Sequence, residues 1–191
     1  CMDQINMKII KNIILLLVVV LMCPVLSMAQ GHKGTVETCA PMKEGKVCYS
    51  DEVEVEGMSQ DKLFDAINKW AKKNYGKDLF LSSVTSKKSK GTIFINSKVE
   101  LLLNETDKTV VKYKMRIYCH DGKYTIELTD ISYQYDPENE KKYKTYPAEN
   151  VIANNGKSNS IAVIKDPLLF CNATFFFAEN LFGDVFDATQ N

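Results

Sequence analysis

The chain is expected to adopt an α+β fold: a curved antiparallel sheet of about five strands with two helices on one face, in the order β-α-β-β-β-β-α. Three observations carry that expectation. Residues 91–103 and 109–119 alternate apolar and polar side chains with the period of a half-buried strand. His120-Asp121-Gly122-Lys123, just after the second run, reads as a tight hairpin turn. Leu63, Phe64, Ile67, Trp70 and Ala71 recur at the spacing of one helix face.

The elements follow in order. Residues 1–29 read as a signal peptide: Lys8 and Lys11 precede an apolar run, Pro24 breaks it, and Ser27-Met28-Ala29 offers the small-x-small pattern of a cleavage site. The run is short and interrupted for a membrane span, which needs about 20 apolar residues, so no stable span is expected after cleavage. Met22 is too large for the position before a lipidated cysteine, so a lipoprotein anchored through Cys23 is not expected. These features place the protein in the periplasm or outside the cell. Residues 30–45 have no periodicity and read as a flexible lead.

The domain proper is expected over 46–187. Its first strand covers 46–56 and its first helix starts at Ser59, a good N-cap, and stops at Gly76. A short strand at 79–84 is followed by a polar turn at 85–90. Strands at 91–103 and 109–119 come next, and Tyr124, Ile126 and Leu128 continue on the return strand. The apolar phase then slips to Ile131, Tyr133 and Tyr135, so Asp130 marks a bulge or the strand's end. Residues 136–165 form a long polar loop, expected to be mobile, with a short helical turn near 147–152. Asp166-Pro167 opens a last helix, apolar nearly all round from 168 to 186, and 188–191 read as a fraying tail.

Strand one, the Trp70 helix, the strand from Gly91 and the Asp121-Gly122-Lys123-Tyr124 hairpin resemble a family of exported Gram-negative bacterial proteins. That family is a domain of unknown function with a TATA-box-binding-protein-like (TBP-like) fold. The resemblance covers roughly residues 46–135. It implies the topology already reached from periodicity, and it brings no catalytic residues with it.

Four cysteines follow the leader, an even number that suits disulfides in an exported chain. Cys48 falls on the polar phase of its strand, near Cys39 in the lead. Cys119 falls on the apolar phase, towards a helix that carries Cys171. The expected bridges are Cys39–Cys48 and Cys119–Cys171, with four cysteines allowing three connectivities in all.

Charge excludes some functions. Lys plus Arg and Asp plus Glu are equal, at 24 each, so the chain makes no general electrostatic claim on nucleic acid. The sheet face turned away from the helices mixes Glu52, Glu54 and Glu100 with Lys98, Lys112, Lys114 and Arg116, alongside Phe94, Asn96 and Tyr118. That pattern suits cross-strand pairing on a solvated face, not nucleic-acid readout.

Cys119-His120-Asp121 holds the letters of a nucleophilic site, but neighbouring strand residues point to opposite faces. No Gly-x-Ser-x-Gly elbow is present. Asp136, Glu138 and Glu140 alternate as in a calcium loop but lack its turn glycine. No cofactor is expected. One metal lead remains: after cleavage the chain would begin Gln30-Gly31-His32, and a free amine, two amides and an imidazole suit square-planar Cu(II) or Ni(II).

The function expected from these residues is non-catalytic: an exported domain acting through an unknown protein or cell-surface partner. Phe175, Phe176 and Phe182 on the last helix are the candidate contact residues. The alternatives are a hydrolase with a carboxylate site under loop 136–165 and an N-terminal copper or nickel binder.

Overall fold

The computed structural model describes residues 38–78, 80–138, 144–157 and 161–190. The expected leader, Cys23 and the Gln30-Gly31-His32 group lie outside them, as do Glu140, Lys141, Lys142 and Tyr143.

A two-stranded ribbon, β1 (Met42–Lys43) and β2 (Lys46–Val47), precedes the sheet. Then come β3 (Tyr49–Glu54), α1 (Gln60–Tyr75), β4 (Ser82–Lys87), β5 (Thr92–Leu102), β6 (Lys108–His120), β7 (Lys123–Tyr135), β8 (Lys144–Pro147), a single helical turn α2 (Ala148–Val151) and α3 (Pro167–Gln190). The main sheet is antiparallel, in the order β3-β7-β6-β5-β4. β8 pairs with the second half of β7, at Tyr133↔Tyr146 for example, while β3 pairs with the first half. The sheet therefore has six strands, one more than expected. The extra strand comes from the segment expected to be a mobile loop. Tyr146, half-buried, is the side chain of β8 that faces the core.

Period-two alternation decides which face is buried. Val111, Tyr113, Met115, Ile117 and Cys119 of β6 are buried, as are Tyr124, Ile126, Leu128, Ile131, Tyr133 and Tyr135 of β7. Both long helices cover that face. α1 buries Leu63, Phe64, Ile67, Ala71 and Tyr75, one stripe at helical spacing, and the Tyr113 hydroxyl donates to Tyr75 Oη at 3.1 Å. α3 buries Phe170, Cys171, Thr174, Ala178, Leu181, Phe182 and Val185. Phe170 meets the rings of Tyr133 and Tyr135 edge-on at 5.1 Å, and Phe177 meets Tyr113 at 5.2 Å. Each fully buried aliphatic side chain contributes roughly 1.5–3 kcal/mol, so this single layer of contacts dominates stability.

The phase slip at Asp130 is a β-bulge. Lys112 pairs with Ser132 and Lys114 with Thr129, so two residues of β7 stand opposite Tyr113 alone. Asp130 takes φ +50°, the left-handed region that Asp tolerates better than most residues. The bulge restores the apolar phase and keeps Ile131, Tyr133 and Tyr135 facing the helices.

α1 starts as its cap predicts: Ser59 Oγ accepts from the Lys62 N–H at 3.4 Å. A second cap arrives from afar, because Asp121 Oδ1 accepts from the Gln60 N–H at 2.8 Å. Before β5, Gly91 holds φ +62°. A Cβ there would stand 2.4 Å from the carbonyl oxygen of Cys119, whose N–H donates to Gly91 O at 2.7 Å.

Several expectations need correction. The strand expected at 79–84 and the turn at 85–90 are one strand, β4, ending in a 3-10 turn at Lys88–Lys90. Its inward positions are Ser82, Val84 and Ser86, only one of them apolar, which blurs the pattern. The end of the lead is held: Thr38 bonds Asn155, and the Tyr49 hydroxyl donates to Cys39 O at 2.6 Å. The tail expected to fray is helical as far as Gln190, with Thr189 buried.

The disulfide pairing also differs. Cys39 is bonded to Cys171, 132 positions away, and Cys48 and Cys119 are buried thiols. The expected bridges Cys39–Cys48 and Cys119–Cys171 are therefore not the ones formed. α3 lies so that its first turns, not its middle, pass the lead, and Cys171 Sγ meets Cys39 there; Cys119 is left inside the core.

Candidate functional site

The uncovered face of the sheet carries the outward half of each alternation. The registers set its side chains in rows. Thr92, Tyr118, Thr125 and Glu52 form one row across β5, β6, β7 and β3. Thr85, Phe94, Arg116, Glu127 and Ser50 form the next. Ser83, Asn96, Lys114 and Thr129 follow, and then Lys98, Lys112 and Ser132. The Phe94 and Tyr118 rings meet edge-on at 5.8 Å, with Phe94 exposed.

The N-terminal ribbon drapes over one side of this face and is fixed to it by charge. Lys43 Nζ lies 2.5 Å from Glu127, and Lys46 bonds Asp130. Asp130 is also 3.1 Å from Lys114 and 3.8 Å from Arg116. Hydrogen bonds from Lys46 first, then Lys114, hold its carboxyl below the usual carboxylate range against the opposing effect of partial burial. The bulge makes this possible, since it turns Asp130 outward into the cluster of cations. Under the ribbon lies Cys48, whose thiol is pushed up by burial and, secondly, by nearby Glu127.

Beyond the ribbon the face opens into a hollow of about 480 Å³. Asn96, Lys98, Lys112, Lys114, Asp130 and Ser132 line it, and exposed Phe80 and Leu81 form a wall. A smaller hollow of about 160 Å³ begins one row further along the same strands, lined by Glu100, Lys108, Gln134, Tyr135 and Asp136. There Lys108 pairs with Glu100 at 2.9 Å, and the Tyr135 hydroxyl donates to Asp107 at 2.8 Å.

The candidate residues fall as follows. Burial pushes the Cys119 thiol up to about 12, so it carries essentially no thiolate at neutral pH. His120, on the opposite phase, is exposed at the hairpin end; the two do not meet. Among the described residues no three His, Cys, Asp or Glu side chains gather as a metal site. Asp136 Oδ1 accepts from the Glu138 N–H at 3.0 Å, a local turn contact.

On α3, Phe182 is buried against the core and is unavailable to a partner, because its position falls on the helix stripe facing α1 and the sheet. Phe175 is half-buried and stacks edge-on against Phe176 at 5.6 Å. Phe176 is 63% exposed. The exposed stripe at four-residue spacing runs Leu168, Asn172, Phe176, Asn180, Asp184, so polar side chains separate its apolar members. Among the described residues no helix is long and apolar enough to cross a membrane.

Sequence reasoning missed Asp130 as a charge hub and the facing of Lys98 and Lys112. The phase slip signalled the first; the second needed the register.

A six-stranded antiparallel sheet with two helices on one face and the other face open defines a TBP-like α+β domain. A family described as a domain of unknown function (DUF4468) with TBP-like fold matches residues 49–134. A TBP-like protein of known crystal structure from Parabacteroides distasonis is 74% identical, with 80% of this chain and 98% of that one covered and a TM-score of 0.78. A DUF4468 family protein from Bacteroides ovatus is 27% identical, covering 80% of this chain and 91% of that one, with a TM-score of 0.68. No curated protein matches the chain. The chain belongs to the DUF4468 family.

Proposed function

We propose that the protein is an exported, non-catalytic binding domain that works through a partner held against the open face of its sheet. The observation that carries this reading is the solvent-open hollow of about 480 Å³ on a face that no helix among the described residues covers. Such a surface suits reversible contact, because catalysis gains most from a site that excludes water. The ion-paired ribbon and the Phe94–Tyr118 pair give the rest of the face a fixed shape. Export is supported by the leader pattern and by the Cys39–Cys171 bond, which persists in oxidising compartments.

The test is site-specific photocrosslinking in the producing cell. A benzophenone side chain at Phe94 is expected to give a discrete adduct, and one at Phe176 is not. Cys119→Ser and His120→Ala should leave the adduct intact. An adduct from position 176 alone would move the contact to α3 and overturn this assignment.

The pair Glu100 and Asp136 at the smaller hollow favours a second reading, hydrolysis with a carboxylate site beside the segment after β7. Turnover of a glycan or ester substrate that is lost in Glu100→Gln and Asp136→Asn would establish it.

A further inference from the structure

We propose that the hollow on the open face is an anion site, taking a small soluble amphiphile that carries an oxyanion head on an apolar or aromatic body. The inference rests on reading that face as a binding surface, and it names the ligand class for one part of it.

The register is the first ground. Lys98 of β5 stands directly opposite Lys112 of β6. Like charges at directly facing positions repel, and a solvated face has no packing need for them. Elsewhere on this face the charges answer one another: Arg116 faces Glu127, Lys43 reaches Glu127, and Lys123 reaches Glu52 at 3.1 Å. Among the described residues neither Lys98 nor Lys112 makes an ion pair, and the hollow lies over both.

The second ground is the local charge balance. Lys114 is next along β6, faces Asn96 and shares Asp130 with Lys46 and Arg116. Asp130, at the edge of the hollow, thus serves three cations, and Glu100, one row on from Lys98, pairs with Lys108 at 2.9 Å, so the nearby carboxylates are engaged by other cations. A bound oxyanion would supply the missing charge, since two ammonium groups provide strong charge-assisted donors. Asn96, whose Nδ2 donates to Ser83 Oγ at 3.4 Å, and Ser132 add neutral polar groups on the same floor.

The third ground is the wall. Phe80 is 96% exposed and Leu81 is 44% exposed. Leu81 is held beside the cations, because the Lys98 N–H donates to Leu81 O at 3.1 Å. A cationic floor beside an apolar wall matches a ligand that is charged at one end and apolar at the other. The volume falls within the range of about 300–1,000 Å³ found for small-molecule sites.

The experiment is an NMR titration of the protein in its natural processed form with inorganic phosphate and, separately, 1-naphthyl phosphate. Both should shift the amides of Asn96, Lys98 and Lys112 saturably, and naphthyl phosphate should bind at least tenfold tighter and also shift Phe80 and Leu81. Lys98→Gln with Lys112→Gln should weaken both probes at least tenfold while the melting temperature holds or rises, since a repulsion is removed. Phe80→Ser should erase the preference for naphthyl phosphate and leave inorganic phosphate unchanged. No saturation, or equal affinity in the double variant, overturns the proposal. So does binding to anionic phospholipid vesicles without binding of naphthyl phosphate, which would make the site a membrane contact. The Phe94 crosslink is unaffected by these outcomes, so the two readings fail separately.

Discussion

The Asp121 carboxylate, at the tip of the β6–β7 hairpin, accepts a hydrogen bond from the Gln60 N–H at the start of α1, 2.8 Å away. The same turn closes with Gly122 N–H donating to Met58 O and Val55 N–H donating to Gly122 O, both at 2.8 Å. A turn signal read locally from Asp-Gly is therefore also a tertiary clasp, joining the longest hairpin to the helix that packs beneath it. Gly122 has φ +75°, as the turn demands.

Replacing Asp121 with Ala should lower stability by about 1 kcal/mol, the usual cost of losing an N-terminal cap. Asn, which keeps an acceptor oxygen, should recover most of it. Urea denaturation of the three proteins checks the order.

Asp130 combines a backbone role with a charge role, and two substitutions separate them. Asn tolerates the left-handed conformation and lacks the charge, so Asp130→Asn should cost about 1 kcal/mol or less at neutral pH, as a partly exposed ion-pair network loses its centre. Ala adds backbone strain of roughly 1–2 kcal/mol. The carboxyl is held below its ordinary value of 3.8 in the folded state. Its stabilisation is therefore complete above that value and is lost as pH falls through the folded one. The stability gap between the wild type and Asp130→Asn should close in acid, which denaturation at neutral pH and at low pH will show.

The Cys39–Cys171 bond closes a loop of 132 positions. Removing it with Cys39→Ser and Cys171→Ser should cost about 2–4 kcal/mol, with a chain-entropy upper figure of about 5 kcal/mol. Peptide mapping should find Cys39 joined to Cys171. Cys48 and Cys119, both buried, should alkylate only after denaturation.

Gly91→Ala should destabilise by about 2 kcal/mol or more, since the new Cβ meets both an unfavourable φ and the Cys119 carbonyl at 2.4 Å. Thermal unfolding monitored by circular dichroism measures it. Gly122→Ala meets no neighbouring atom within 4 Å and should cost only the turn strain.

Legibility followed the length of the pattern. β5, β6 and β7 alternate over eleven or thirteen residues, and α1 repeats its apolar stripe four times, so their existence and faces could be read directly. β8 has only four residues and gains its stability from pairing with β7, which no local pattern announces. β4 failed for a similar reason: Ser82, Ser86 and Thr85 give it little contrast between faces. The site divides the same way. Which residues face outward came from parity, whereas Lys98 opposite Lys112, and Asp130 beneath Lys46, depend on register and on where the ribbon lands.

The long-range bridge has a consequence for how the chain must mature. Cys48 lies nine positions after Cys39, and Cys171 emerges only with the final helix. In an unstructured chain, closing the short loop is favoured over the long one by roughly 2 kcal/mol of loop entropy. Under oxidising conditions Cys48 is therefore the entropically favoured partner of Cys39 before the fold forms, whereas in the folded protein Cys48 is a buried thiol and Cys39 is bonded to Cys171. Burial of that thiol shields the finished bridge from exchange with its nearest competitor in the sequence.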